Sequence, residues 1–68
     1  MLAREKAKQV QEALVELSAN QRKVFLLKFA EEMDLEEISQ TIGMPVNTVK
    51  THLRRSVLAI RARLGGAR

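Results

Sequence analysis

The chain has 68 residues, 46% of them hydrophobic, with no cysteine, one histidine and two aromatic side chains. A chain of this length forms one small domain and buries only about 60% of its unfolded surface. The composition excludes a disulfide framework, a thiolate metal site and a base-stacking platform for single-stranded nucleic acid. There is no glycine-rich phosphate loop and no apolar run near the roughly 18 residues that cross a bilayer, so we predict a cytoplasmic, non-enzymatic protein with no cofactor and no metal.

Charge is divided unevenly along the chain. Residues 1–45 carry six basic and eight acidic side chains, a net charge of −2, whereas residues 46–68 carry six basic and no acidic ones, a net charge of +6. The basic part has helical periodicity and follows the turn Gly43-Met44-Pro45. A cationic helix on a small scaffold is typical of proteins that bind nucleic acid.

The periodicity predicts an all-α domain of four helices. The first spans about Ala3 to Leu17, and the second about Ala19 to Glu31, where Ser18 and Gln21 have the spacing of a capping box. The predicted buried stripe of the first helix is Ala3, Ala7, Val10, Leu14 and Leu17. The broad apolar face of the second is Val24, Phe25, Leu26, Leu27 and Phe29. We expect both phenylalanines to fill the core.

The third helix is short and has clear start and stop signals. Asp34 and Glu37 form a second capping-box pattern at its beginning. Its predicted inner face is Leu35, Ile38 and Ile42. Gly43 suits the left-handed residue after a helix, and Pro45 suits the first turn of the next. The connection is therefore about three residues long, which is typical of a helix-turn-helix.

The fourth helix is predicted from about Pro45 or Val46 to Leu64, followed by a frayed tail over residues 65–68. Its apolar residues fall within about 80° of arc and predict a buried edge. They are Val46, Val49, Leu53, Val57, Ile60 and Leu64. Lys50, Arg54 and Arg61 lie along one flank of the opposite, polar side.

The pattern from Leu35 to Leu53 has helix-turn-helix spacing, with the small residue Ser39 where the two helices approach. Such a unit places its second helix in the major groove, where its first residues contact base edges. The side chains that point outward from the first three turns are donors. They are Asn47, Lys50, Thr51, Arg54 and Arg55. We therefore predict binding to duplex DNA.

Other interpretations of this helix remain open. A basic amphipathic helix also binds acidic proteins or membrane surfaces, although Leu58 is the only bulky apolar side chain expected to be exposed beside the cations. Arg61 and Arg63 lie one to two turns beyond the part that enters the groove, where a solvated side chain or a phosphate contact is as compatible with their positions as a specific base contact. His52 lies at the boundary of core and surface, as a solvated or capping side chain or as a phosphate contact.

The run from Leu17 to Lys28 resembles the helix that opens region 4 of bacterial sigma factors. The resemblance continues through Glu36 to Ser39 and Gly43 to Leu53 and closes at Arg61, across about residues 10–64. It is strongest to the extracytoplasmic-function subgroup. It implies a domain of a longer factor that binds the promoter minus-35 element as duplex DNA and docks on the β-subunit flap of RNA polymerase, with an anti-sigma factor as a further candidate partner.

The resemblance also assigns candidate contacts residue by residue. Lys50, Thr51, Arg54 and Arg55 match the stretch of the family that contacts bases and phosphates. Other matching positions tend to face the DNA backbone. They are Asn47, Thr48 and His52. With Arg61, these residues form the predicted DNA-binding site.

Two alternatives remain. The output domain of LuxR-type regulators has a similar recognition helix, Thr-Val-Lys-x-His, but adds a dimerisation helix for which the four residues after Leu64 leave no room. The second alternative is a module that docks only on RNA polymerase or an anti-sigma factor. It predicts that removing Lys50 and Arg54 leaves the main affinity unchanged.

Overall fold

The computed structural model describes residues 2–65, with the side chains of residues 7–65. Within this part of the chain there are four helices and no strand, which confirms the predicted fold class. They are α1 (Leu2–Glu16), α2 (Ala19–Phe29), α3 (Leu35–Ile42) and α4 (Val46–Gly65). None of these helices is both long and apolar enough to cross a membrane.

Local capping fixes where α2 and α3 begin. The Ser18 hydroxyl accepts from the Gln21 backbone N–H at 3.2 Å, and the Gln21 side chain accepts from Ser18 N at 3.4 Å. Asp34 and Glu37 make the same reciprocal pair at 2.8 and 2.9 Å. Both predicted capping boxes are therefore present. They satisfy N–H groups that have no partner within the helix.

The turn between α3 and α4 is the predicted three residues, Gly43 to Pro45. Gly43 has φ 71°, the left-handed conformation that costs an L side chain energy. The Ser39 carbonyl accepts from Gly43 N at 2.9 Å and from Met44 N at 3.1 Å. The Ser39 hydroxyl in turn donates to the Met44 carbonyl. Ser39 thus fixes the turn from both sides, a role beyond the close packing predicted for it.

All three other helices pack on α4, and their apolar residues form two clusters. The turn-side cluster joins α2, α3 and the beginning of α4 through Val24, Ile38 and Val49. Met33, Met44 and Leu53 pack against it. The α1-side cluster joins α1 to the end of α4 through Ala13, Leu17 and Ile60, with Val10, Leu14 and Phe25 beside them.

Several predicted core positions are wrong. Ala7 is exposed, whereas Ala13 is buried in the α1-side cluster, against which Val10 is the first of the described residues of α1 to pack. The side chain of Ala3 lies outside the described residues. Phe29 is 54% exposed, since it is the last residue of α2 and stacks on Phe25, with ring centroids 4.7 Å apart. Leu26, on the outer side of α2, is 40% exposed.

The helix ends also differ slightly from the prediction. The predicted buried stripe of α4 stops short of Leu64, which is 38% exposed. Helix α2 ends at Phe29 rather than Glu31, and Glu32 then takes the left-handed φ of 58°. Gly65, predicted in the tail, is the last residue of α4, and residues 66–68 lie outside the described residues.

Candidate nucleic-acid interface

The predicted DNA-binding residues all lie on α4, which the turn-side cluster holds by its inner edge. Val49 is fully buried, and Leu53 packs against the same cluster. The side chains between them on the helix therefore have fixed directions. Six of the predicted residues are exposed. They are Asn47, Lys50, Thr51, Arg54, Arg55 and Arg61. Thr48 and His52 are half-buried.

Helical geometry arranges these side chains in three lines. At about 100° per residue, Asn47 and Thr51 lie near the middle of the exposed surface. The side chains on one flank are Lys50, Arg54 and Arg61, and those on the other flank are Thr48, His52 and Arg55. This places uncharged hydrogen-bonding groups on a central ridge with cations on both sides. Arg61 is separated from Arg54 by about two turns, so it lies apart from the rest of the predicted site.

The charged groups on this surface have no acidic partner within the described part of the chain. Ion pairs among residues 7–65 involve only Arg63, on the side that faces α1. The guanidinium of Arg63 bonds to Glu16 and, at 3.1 Å, to Glu12. The hydrogen bond to Glu16, followed by its charge, raises the pKa of Arg63, so the side chain stays cationic. Lys50, Arg54, Arg55 and Arg61 are left available to an external anion.

The beginning of α4 lacks the side-chain caps of α2 and α3. Pro45 occupies the position where Ser18 and Asp34 cap the other helices, and its carbonyl accepts from Val49 N at 3.0 Å. No described side chain accepts from the backbone N–H groups of Val46, Asn47 or Thr48, and the first turn has no acidic residue. Free N–H groups and the helix dipole together make this end of α4 electropositive.

The polar residues near this surface differ in how freely they reach a ligand. Thr51 donates its hydroxyl to the Asn47 carbonyl at 3.1 Å, one turn earlier, and remains exposed. The Nδ1 atom of His52 is buried without a hydrogen-bond partner among the described residues. Only the Nε2 edge of this imidazole therefore remains for a contact outside the domain. No group of three or more metal-ligating side chains occurs among residues 7–65.

Sequence reasoning missed the polar links that hold the surface in place. Arg22 donates to the Leu14 and Leu17 carbonyls at 2.9 and 3.1 Å and so ties the end of α1 to α2. Glu12 and Glu16 bind Arg63 from 51 and 47 residues away. The i, i+4 spacing of the two glutamates shows a shared helix face but gives no indication of its partner. The lack of a side-chain cap at the beginning of α4, in contrast, can be recognised from the sequence, because Pro45 occupies the cap position and has no side-chain acceptor.

Comparison with known proteins identifies the family. The family described as "Sigma-70, region 4" matches residues 7–60. The RNA polymerase sigma factor SigV of Bacillus subtilis is 42% identical over 53 residues, which are 78% of this chain and 32% of that protein. The ECF RNA polymerase sigma factor SigW of the same organism is 36% identical over 55 residues, 81% of this chain and 29% of that protein.

The match covers the whole helix-turn-helix and most of the rest of the described chain. The chain spans about a third of the length of these two relatives. No solved structure matches it significantly. The family match includes α2, α3 and the part of α4 that carries most of the exposed polar and cationic residues. The chain therefore belongs to the sigma-70 region 4 family, which confirms its resemblance to the extracytoplasmic-function sigma factors.

Proposed function

We propose that this domain binds the promoter minus-35 element as duplex DNA, as part of a sigma factor that directs RNA polymerase to promoters. The observation that carries the proposal is the surface of α4, where the cations lack acidic partners and flank a ridge of uncharged polar groups. Membership of the sigma-70 region 4 family supports the same role. The predicted domain, residues 1–64, is the unit to which we assign this binding.

The three lines of side chains suit a helix inserted in the major groove. The central ridge, Asn47 and Thr51, faces the base edges in this arrangement, which for Asn47 differs from the backbone contact that the family resemblance implies. Lys50 and Arg54 lie toward one groove wall, and Arg55 lies toward the other. An arginine within reach of a guanine makes a bidentate contact worth about 1–3 kcal/mol of discrimination. We assign that role to Arg54.

The remaining predicted residues are assigned to the DNA backbone. Thr48 lies in the uncapped first turn of α4, where backbone N–H groups attract a phosphate oxygen. His52 lies about one turn farther along the same flank and is left with its Nε2 edge for such a contact. Arg61 lies on the same flank as Arg54 but about two turns farther along. At that distance from the first turns of the helix, a phosphate contact fits better than a base contact.

The partners follow from the same assignment. We propose docking on the RNA polymerase core through the β-subunit flap, in the cytoplasm, with an anti-sigma factor as a candidate competitor. The exposed apolar pair on α2, Leu26 and Phe29, supports a protein contact on the side of the domain formed by its first two helices. This pair is also the observation that favours the second candidate function, a module that binds only proteins.

A fluorescence-anisotropy titration distinguishes these functions. One duplex carries a minus-35 element of the kind that this sigma subgroup favours, and the other carries a scrambled version. The three unpaired cations not assigned to a base, Lys50, Arg55 and Arg61, predict a log–log salt slope of about −2.7 on the minus-35 duplex. Arg54→Ala should weaken binding to the first duplex about fivefold to 150-fold, the equivalent of 1–3 kcal/mol, and weaken binding to the second less.

Arg63→Ala is the matched control, because it removes the same charge from the same helix at a side chain already bonded to Glu12 and Glu16. It should cost much less affinity than Arg54→Ala. Equal losses on both duplexes would reduce Arg54 to a phosphate contact. Undetectable binding to either duplex near physiological salt would favour the protein-docking function.

A further inference from the structure

The contacts between α1 and α4 divide the cations of α4 into two groups. Arg63 Nη2 lies 3.1 Å from Glu12 Oε1, while Nη1 bonds to Glu16 Oε2. We call Glu12, Glu16 and Arg63 the α1–α4 ion cluster. The cations without a carboxylate partner among residues 7–65 form the other group. They are Lys50, Arg54, Arg55 and Arg61.

The α1–α4 ion cluster lies at the end of α4 that is distant from the helix-turn-helix. Arg63 follows Lys50 by 13 residues, about 20 Å along the helix axis. Two carboxylates against one guanidinium leave the cluster with a formal charge of −1. These carboxylates are also open to solvent, with the Glu12 and Glu16 side chains 45% and 65% exposed. The cluster therefore adds a formal charge of −1 two residues beyond Arg61, the last cation of α4 without a carboxylate partner among the described residues.

The negative charge of the α1–α4 ion cluster matters because attraction between cations and phosphate does not depend on base sequence. Helix α4 is 20 residues long, about 30 Å. If it were cationic along its whole length, it would bind a duplex in several positions, most of which place the wrong residues against the bases. The net negative charge of the α1–α4 ion cluster opposes a phosphate contact at Arg63 and so favours the arrangement in which the first turns of α4 enter the groove.

We infer that Glu12 and Glu16 hold Arg63 away from DNA phosphate and so confine duplex binding to the part of α4 between its N-terminus and Arg61. Their effect is to suppress binding to non-cognate duplexes more than binding to the promoter element. This assigns a part in DNA discrimination to two acidic side chains of α1, which contact no DNA themselves. The inference rests on the proposed binding of α4 to duplex DNA.

The test compares two variants of the whole chain with the same change in net charge. Glu12→Gln/Glu16→Gln removes both carboxylates of the cluster. Glu31→Gln/Glu36→Gln removes two exposed carboxylates that take no part in the capping pair or in any ion pair among the described residues. Binding to the scrambled and minus-35 duplexes is measured by anisotropy at several salt concentrations.

The cluster variant should bind the scrambled duplex more tightly. One added phosphate contact steepens the log–log salt slope by about 0.9. If the contact adds no affinity at 1 M salt, this slope corresponds to about an eightfold gain in affinity at 0.1 M salt. Affinity for the minus-35 duplex should rise less, so discrimination falls. Adding Arg63→Ala to the cluster variant should return the slope to its original value, because Arg63 supplies the new contact.

Several outcomes would overturn the inference. Equal gains in the two charge-matched variants would show that only net charge matters. An unchanged affinity for the scrambled duplex would show that the cluster does not limit binding. If the log–log salt slope stays steeper after Arg63→Ala is added to the cluster variant, Arg63 does not supply the new phosphate contact, and the inference fails. If the double variant melts below the assay temperature, Glu16→Gln is compared with Glu31→Gln. Glu16→Gln should then bind the scrambled duplex more tightly than the wild type, by less than the double variant would, and Glu31→Gln should not.

Failure of the proposed function would give a different pattern. A wild-type chain that binds the two duplexes equally would contradict recognition of the minus-35 element. The comparison of the charge-matched variants on the scrambled duplex would still decide whether the α1–α4 ion cluster limits DNA binding. Absence of binding by the wild type and by every variant would contradict both.

Discussion

The two halves of α4 are held by different kinds of contact. Around residues 46–55, the turn-side cluster contains Val24, Ile38 and Val49, each 0% exposed. Around residues 56–65, the α1-side cluster contains Ala13, Leu17 and Ile60, which are 3–6% exposed. The half that carries all the proposed DNA contacts except Arg61 is fixed by apolar packing and by the turn, whereas the other half depends also on ion pairs at the surface. Fully buried packing thus lies behind the residues proposed to contact bases.

The largest expected effect tests whether the turn-side cluster is the more constrained of the two. Ile38→Ala should lower the free energy of unfolding by about 2–5 kcal/mol, because removing a fully buried side chain costs transfer energy and leaves a cavity. Leu17→Ala should cost less within the same range, since its partly exposed surroundings relax more easily. Thermal and urea unfolding followed by circular dichroism measure both.

Val15→Ala is the control for these variants, because Val15 is 75% exposed and its truncation should change stability by less than about 0.5 kcal/mol. If Ile38→Ala is unfolded at 25 °C, Ile38→Val gives a graded change of about 0.5–1.5 kcal/mol. A greater loss for Leu17→Ala than for Ile38→Ala would reverse the proposed order of the two clusters.

The next effect concerns the helix caps, and the cap of α3, in the turn-side part of the domain, is expected to contribute more stability than the cap of α2. Asp34→Ala should destabilise the domain by about 0.5–2 kcal/mol, because it leaves the Glu37 N–H without its acceptor. Ser18→Ala should cost less, since its capping distances of 3.2 and 3.4 Å are longer than the 2.8 and 2.9 Å at Asp34. Urea midpoints that rank the two caps in the opposite order would contradict this.

A smaller effect, of opposite sign, is expected at the left-handed residue after α2. Glu32 has φ 58°, which costs an L residue about 1–2 kcal/mol. Glu32→Gly should remove this cost, and the greater freedom of glycine in the unfolded chain should offset about 0.5–1 kcal/mol of the gain. We expect a net stabilisation of about 0.5 kcal/mol, measured as a higher urea midpoint. Glu31→Gly, with no positive φ to relieve, should not stabilise.

The features that sequence predicted well are those that depend on neighbouring residues. Ser18, Asp34 and Gly43 end or begin helices through contacts within a few positions, so their roles follow from spacing and backbone geometry. The same holds for the exposed line of Lys50 and Arg54, which helical periodicity alone places on one flank. For this reason the fold class and the location of the candidate DNA-binding surface on α4 were both predictable.

The features that sequence did not predict depend on where helices cross. Phe29 and Leu64 continue apolar stripes by periodicity, yet both are exposed, because periodicity does not show which part of a stripe another helix covers. The partners of Arg63 are about fifty residues away, and no local pattern specifies them. Whether the predicted residues contact DNA remains a prediction, because it depends on a ligand outside the domain.

The smallest expected effect on stability, from Arg63→Ala, sharpens the comparison between the halves of α4. Exposed ion pairs contribute little in water and are screened by salt. The variant should therefore lower Tm by less than Asp34→Ala does in dilute buffer and by nothing measurable in 1 M NaCl. Arg61→Ala, on the same helix but without a carboxylate partner among the described residues, is the matched control and should leave Tm unchanged at both salt concentrations. A Tm loss for Arg63→Ala that persists in 1 M NaCl would mean that the aliphatic part of the side chain, and not its charge, holds α1 against α4.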